Sequence, residues 1–353
     1  MKKLYSTVIL AAGLLFVLVL GGCSQGEEAS AAEMLSNVVE SQKELKDYYG
    51  ELHMSVHANN QVQHTTMKEY SSEKGQRKVV IHNKEENEDI INLFDGQKML
   101  IYEPASKKAY EMRVEEDDLM GLFNPKDQIM KILELVKDTH ELEMLGEEEV
   151  LGIKVNHLRL KSVDEDSFLG TMDFWIDPKT WLPLKSISDT GDERIEVYYT
   201  KLDFSPKFAR DTFTLKLPKD VKVETLDGED SSVQEAEKSL GKPFLIFPDN
   251  EQMKLASIQD LGGDLQEFTF NYQDAENKPL FSLTVFPPDQ ETGKLRTGKW
   301  QVRGQPAEVM KEIDGIAWNE DGLRYVVIME QPEILKIEDV IRLAKDMVYS
   351  SEK

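Results

Sequence analysis

The first stretch with possible chemistry is glycine- and lysine-rich and covers residues 293–299, GKLRTGK. It fits the first seven positions of a phosphate-binding P-loop, in which backbone N–H groups cradle phosphates. The eighth position needs a Ser or Thr hydroxyl for magnesium, and this chain has Trp300 there. No strand-to-helix pattern surrounds the stretch. We therefore interpret it as a lysine-rich loop.

The histidines lack the spacing of a metal site. His53 and His57 share one side of a predicted strand and could form a metal pair, but that side is the polar one and no third ligand lies at a fixed spacing. No HExxH motif is present either. Solvated imidazoles are the better interpretation, so we predict no metal site. The six histidines are His53, His57, His64, His82, His140 and His157.

The acidic residues also fail to define a catalytic or calcium site. Runs at 85–86, 115–118 and 147–149 lack the glycine and the alternating oxygens of a calcium loop, and we expect solvated loops and helix starts there. No G-x-S-x-G motif is present, and nothing selects one carboxylate pair for hydrolysis among 66 acidic residues. We predict no catalytic residue, no cofactor and no enzyme activity. A hydrolase with an unrecognised acidic site is the weaker alternative.

Cys23 is the only cysteine, and its surroundings suggest a role for the thiol. Lys2 and Lys3 precede an apolar run at 8–22, whose 15 residues are typical of a signal peptide and fall short of the roughly 20 that span a bilayer. Residues 20–23, LGGC, resemble the lipobox of bacterial lipoproteins. The resemblance implies cleavage between Gly22 and Cys23 and a diacylglyceryl group on Cys23, with acyl chains such as palmitate. An ordinary secretory signal or an uncleaved anchor helix is the alternative.

Charge limits the partners further. With 42 basic and 66 acidic side chains the net charge is −24, which argues against nucleic acid as a partner and against a basic patch on an anionic membrane. Once Cys23 is acylated no thiol remains for disulfides, thiolate metal sites or catalysis. We therefore expect a lipid-anchored protein on the extracytoplasmic face of the cell membrane.

The elements that follow are mostly strands. A capping box at 30–33 starts a predicted helix that ends near Asp47, and the apolar period then changes to two. Asp95-Gly96 predicts a hairpin between 90–94 and 99–102, and Pro125 starts a second helix that ends near His140. We expect about ten antiparallel strands, the last two at 195–204 and 213–217, and a tight turn at 59–60.

Two motifs carry a resemblance to a known family. LFDGQKMLIYEP at 93–104 and DFWIDPKTWLPLK at 173–185, behind a leading helix, resemble the LolA-like family of lipoprotein carriers, which includes RseB-type envelope sensors. The resemblance implies an α+β fold in which a curved antiparallel sheet, an incomplete barrel, wraps on helices around an apolar cavity. Leu93, Phe174 and Ile176 are our candidates for lining it. Aromatic residues such as Phe174, Trp175 and Trp181 are more typical of a core than of a ligand platform.

The polar stretch at 226–232 predicts a domain boundary. Beyond it we expect a helix at 233–240, an irregular stretch at 244–258, strands at 268–272 and 280–286, a hairpin at 316–328 and a terminal helix that reaches Val348. This small α+β part resembles a domain of unknown function appended to lipoproteins of spore-forming Gram-positive bacteria. That resemblance implies a context of sporulation and germination. The predicted divisions are a signal peptide at 1–22, a tether at 23–30, a LolA-like domain at 31–225 and a C-terminal domain at 233–353.

We predict a membrane-anchored, non-enzymatic lipoprotein of the cell envelope that binds a lipid, an acyl chain or a partner segment in the concave sheet. The alternative is a structural or regulatory partner that positions a cell-wall enzyme or an envelope signalling protein.

Overall fold

The structure, a computed structural model, describes residues 47–58, 61–84, 87–113, 125–163, 167–225, 229–261, 266–288, 295–296 and 298–352. These residues form two compact units, the first ending at Thr225 and the second comprising the described residues after it. The expected signal peptide, lipobox, tether, leading helix and 59–60 turn lie outside the described residues. The acidic runs at 85–86 and 115–118 lie outside them as well.

The first unit is built on one sheet of twelve strands. Its helix α1, Pro125–Val136, begins at the predicted proline and buries Ile129, Leu133 and Val136. The strands are β1 Tyr48–Ala58, β2 Gln61–Ser71, β3 Arg77–Asn83, β4 Glu88–Phe94, β5 Lys98–Glu103, β6 Lys108–Arg113, β7 His140–Val150, β8 Ile153–Ser162, β9 Thr171–Ile176, β10 Pro183–Asp189, β11 Glu193–Asp203 and β12 Lys222–Thr225.

The sheet order shows how the chain is wound. It runs β12-β6-β5-β4-β3-β2-β1-β11-β10-β9-β8-β7, so two meanders, β1 to β6 and β7 to β11, meet where β1 pairs antiparallel with β11. β12 pairs in parallel with β6 at one edge, and β7 forms the other edge. The sheet is therefore open rather than a closed barrel.

The predicted turns follow local side-chain chemistry. Phe94 lies opposite Met99 in the confirmed hairpin, and the Asp95 carboxylate accepts the N–H groups of Gln97 and Lys98, each at 2.9 Å. The Asp-Pro turn forms in the same way, because the Asp177 carboxylate accepts the Lys179 N–H at 3.1 Å and the Thr180 hydroxyl at 2.7 Å.

The predicted strand at 213–217 is wrong. The chain makes turns there, with the Thr212 N–H bonded to the Ala209 carbonyl and the Thr214 N–H to the Asp211 carbonyl, both at 3.2 Å. Phe213 instead packs edge-on against Phe208, with the ring centroids 5.2 Å apart. The sheet is completed later by β12, which is parallel rather than antiparallel to its neighbour β6.

The second unit has an eight-stranded sheet and a separate two-stranded one. Helix α2, Val233–Leu240, is confirmed, with a capping box between Ser232 and Glu235 and a left-handed Gly241 after its end. Helix α3 is Ile337–Leu343. The strands are β13 Glu229–Asp230, β14 Leu245–Ile246, β15 Lys254–Asp260, β16 Phe268–Gln273, β17 Pro279–Phe286, β18 Gln301–Val302, β19 Gln305–Met310, β20 Gly315–Glu320, β21 Leu323–Met329 and β22 Val348–Tyr349.

Two predictions for the second unit need correction. The stretch at 244–258 is not irregular throughout, because β14 and most of β15 fall within it. The terminal helix is shorter than expected, since the chain leaves α3 at Leu343 and then forms β22, which pairs with β14. The core of this unit is aromatic, and its fully buried side chains include Phe244, Phe247, Phe270, Phe281 and Trp318.

Candidate functional site

The register of the first sheet separates two faces. Directly opposed residues of paired strands share a face, and one face carries Met54, Ile81 and Ile90 from one meander. The β1–β11 pairing extends it to Leu158 and Phe174 of the other. We call this the apolar face. All five side chains are at most 7 % exposed.

The structure does not bring the three cavity candidates together. Phe174 lies opposite Leu158, and Ile176 lies two residues further on, so both belong to the apolar face. Leu93 of β4 lies opposite Lys78 of β3 and Leu100 of β5, and this register places it on the opposite face of the sheet. Leu93 is buried, but it cannot line the same surface as the other two. Phe174, Trp175 and Trp181 are all buried, as expected for core aromatics.

A polar cluster interrupts the apolar face. The Glu69 carboxylate, 2 % exposed, accepts the Tyr48 hydroxyl at 2.8 Å and the Tyr199 hydroxyl at 2.5 Å, and it forms an ion pair with Arg77. Burial, followed by the negative charge of Glu69, raises the pKa of both tyrosines. Burial alone would lower the pKa of Arg77, but Glu69, Tyr48 and Tyr199 together outweigh burial and raise that pKa. Because its side chains come from β1, β2, β3 and β11, the cluster fixes these four strands to one another.

A second polar network lies on the opposite face near the β7 edge. His157 is 7 % exposed, and its ring nitrogens lie 2.7 Å from a Glu148 oxygen and 2.6 Å from an Asp173 oxygen. Trp175 stacks on His157 with the centroids 4.1 Å apart and donates its indole N–H to Glu148 at 2.9 Å. Hydrogen bonds from Trp175 and His157 lower the pKa of Glu148.

The sequence interpretation missed both networks. Residues 147–149 were expected in a loop or at a helix start, and they lie in strand β7 instead. Glu69 lies two residues after Met67 in β2, so both side chains point to the apolar face. A glutamate at such a position was the one sign of the first network in the sequence. For His157 no local signal existed, because its partners Glu148 and Asp173 come from the two neighbouring strands. Neither network places a serine, threonine or cysteine nucleophile beside an acid or a base among its described contacts.

The other motifs considered in the sequence are the histidine pair and the P-loop-like stretch. His57 is exposed as expected, whereas His53 is half-buried. Within the part of the chain that the structure describes, no three His, Cys, Asp or Glu side chains are grouped to hold a metal ion. Of the P-loop-like stretch, 295–296 and 298–299 are described and lie outside any helix or strand.

The comparison with protein families identifies the chain. The model of the sporulation protein YdcC-like family matches residues 2–213. The chain belongs to this family. The sequence-based link to sporulation-associated proteins is thereby confirmed. No curated protein matches the chain.

The comparison with solved structures finds partial likenesses at low identity. The MucA/MucB complex of Pseudomonas aeruginosa contains a chain at 14 % identity and a TM-score of 0.39, covering 90 % of this chain and 99 % of that one. A LolA superfamily protein from Nitrosomonas europaea has 10 % identity and a TM-score of 0.29, over 53 % of this chain and 99 % of that one. The Mycobacterium tuberculosis lipoprotein LppX has 12 % identity and a TM-score of 0.27, over 50 % and 93 %. At these scores the likenesses carry no argument about ligand or partner.

Membrane attachment is the last feature of the site. No helix among the described residues is long and apolar enough to cross a bilayer. Acylation of Cys23 stays a prediction, because residues 1–46 lie outside the described part.

Proposed function

We propose that this YdcC-like protein is a non-enzymatic, lipid-anchored lipoprotein on the extracytoplasmic face of the membrane. Its apolar face binds an apolar ligand, a lipid or an acyl chain, in an envelope process of sporulation or germination. The observation that carries the proposal is the register of the open sheet, which joins apolar side chains of both meanders into one surface from Ile81 to Leu158. An apolar sheet face must be covered. Its side chains are already at most 7 % exposed in the structure, so we expect a ligand to displace groups that now pack on this face.

The composition of this face suits a ligand of variable shape. Met54 and Met172 both lie on it, opposite Thr65 and Leu160 respectively, and thioether side chains repack around different occupants. The Glu69 cluster fixes the strands at one end of the same face. A stiff sheet with adaptable side chains matches the usual anatomy of a ligand site, which is mostly apolar with a few placed polar groups.

Anchoring rests on the sequence. The LGGC at 20–23 follows a signal-length apolar run, and diacylation supplies the two chains that stable membrane attachment needs. Attachment of this kind would keep the binding unit beside the bilayer from which an acyl ligand comes.

The test is a titration of a variant that lacks residues 1–23 with a fluorescent fatty acid, together with mass spectrometry of gently purified protein for bound lipid. Phe174→Ala should weaken probe binding about ten-fold or more, because burying an aromatic side chain against a ligand contributes roughly 1.5–3 kcal/mol. Leu93→Ala is the matched control. Leu93 is buried to nearly the same extent, at 6 % exposure against 5 % for Phe174, but lies on the opposite face.

Circular dichroism must show that both variants are folded. Equal losses in the two variants would mean that the effect is one of stability rather than of the apolar face. No probe binding by folded wild-type protein, with no bound lipid, would refute the ligand proposal and leave the alternative of a partner that positions a cell-wall enzyme or a signalling protein.

A further inference from the structure

Two histidines meet on the opposite face of the first sheet, away from the apolar face. In the β1–β2 ladder His53 lies opposite Thr66 and Ser55 lies opposite His64, so His53 and His64 are diagonal neighbours. Their ring centroids are 5.3 Å apart. The sequence analysis considered His57 as a partner of His53 and rejected that pair, whereas the structure places His64 of the adjacent strand beside His53.

The spacing of the rings fits two ligands of one metal ion. A zinc ion about 2.1 Å from one nitrogen of each ring lies about 3.2 Å from each ring centroid. With a tetrahedral angle between the two bonds, the centroids are then about 5 Å apart. The observed separation agrees with this value, and the interplanar angle of 31° is allowed because each ring can rotate about its metal–nitrogen bond.

The surroundings hold the pair in place. Both rings are half-buried, and Tyr198 packs on His53 with the centroids 5.4 Å apart. Glu196 of β11, diagonal to His53, brings a carboxylate to the same face, where it forms a 2.8 Å ion pair with Lys185.

We propose that His53 and His64 form a two-histidine binding site for a borderline divalent cation, with Zn²⁺ as the representative ion and water as the remaining ligands. Imidazole nitrogen suits Zn²⁺, Ni²⁺ and Cu²⁺ and does not suit Mg²⁺ or Ca²⁺, which require oxygen. The site is independent of the proposed ligand surface, because it lies on the other face of the sheet.

The test is calorimetric titration of the full chain in mild detergent, without a histidine tag, using ZnCl₂ and, separately, MgCl₂. We expect one zinc ion per chain and no magnesium binding. His53→Ala and His64→Ala should each weaken zinc binding by at least about ten-fold, since loss of even an outer-shell partner costs roughly ten- to hundred-fold in metal affinity. His57→Ala, on the same strand and face but exposed, is the matched control and should bind as wild type does.

Three results would overturn the proposal. The first is no zinc binding by folded wild-type protein at millimolar concentration. The second is undiminished binding by both folded variants. The third is an equal loss in His57→Ala, which would indicate diffuse surface binding. If an alanine variant fails to fold, His53→Gln and His64→Gln replace it, since glutamine keeps a polar side chain of similar size and binds zinc poorly.

Discussion

The buried Glu69 cluster leads to the most specific stability prediction. Glu69→Gln keeps the size of the side chain but removes the negative charge beside Arg77 and replaces one carboxylate oxygen with an N–H₂ donor. The amide oxygen can still accept a tyrosine hydroxyl. The amide nitrogen takes one of two positions. At Oε1 it faces the Tyr48 hydroxyl and the Arg77 guanidinium, and at Oε2 it faces the Tyr199 hydroxyl, all of which donate to the carboxylate in the wild type.

The magnitude follows from burial. Glu69 is 2 % exposed and the Arg77 side chain 19 %, so solvent screens the lost ion pair little. Removal of one partner of a buried pair costs about 3–5 kcal/mol, because the other charge stays buried without compensation. For a unit of this size 1 kcal/mol corresponds to about 2–4 °C in Tm, so the first unit should melt about 6–20 °C lower.

Thermal unfolding followed by circular dichroism measures the loss. The matched control is Glu196→Gln, the same substitution at a more exposed ion pair with Lys185, and it should cost no more than about 1 kcal/mol. Glu69→Gln combined with Arg77→Gln should recover part of the stability, because no uncompensated charge is then buried. A Tm for Glu69→Gln within about 2 °C of wild type would refute the reasoning, since 2 °C is at most about 1 kcal/mol here.

The other predictions concern the anchor, the domain boundary and a buried acid. Cys23→Ala should release the protein from the membrane fraction, and unchanged sedimentation with membranes would contradict a lipid anchor. Limited proteolysis should cut first between 226 and 232, and fragments cut only within 31–220 would count against a joint there. Burial raises the pKa of Glu267, so its ionisation opposes folding as pH rises through that pKa. Glu267→Gln should therefore stabilise the protein at pH 7 and have little effect near pH 4. Denaturant titrations at both pH values measure the change in the free energy of unfolding, and an equal change at the two pH values would contradict the prediction.

Local signals in the sequence were sufficient where the structure is local. The Asp95 hairpin and α2 with its Ser232 cap depend on side chains within a few residues of the backbone groups that they bind, and both could be predicted. The face occupied by Leu93 could not be predicted. Strand β4 has apolar residues on both of its faces, Ile90 on one and Ile91 on the other. The alternation of residue types therefore does not tell which face is directed toward the core.

The polar networks required knowledge of the register. Tyr199 meets Glu69 only because β11 pairs with β1, and Asp173 meets His157 only through the β8–β9 ladder. The same holds for β12, whose pairing with β6 joins strands that lie far apart in the chain. Long-range pairing is decided by the total packing of a sheet, which no short window of sequence contains.

The pairing of β1 with β11 has a consequence for the kinetics of folding. Its ladder begins with Ala58 opposite Glu193, so β1 gains this neighbour only after the whole intervening chain has been made. At a synthesis rate of 5–20 residues per second the interval is roughly 7 to 27 s. The β1–β6 meander can form early from local contacts, but the far side of β1 stays an open edge for that time, and open edges recruit other strands. A chain that emerges from its N-terminus onward therefore passes through a half-sheet with an exposed edge, and factors that protect this edge should raise the yield of folded protein.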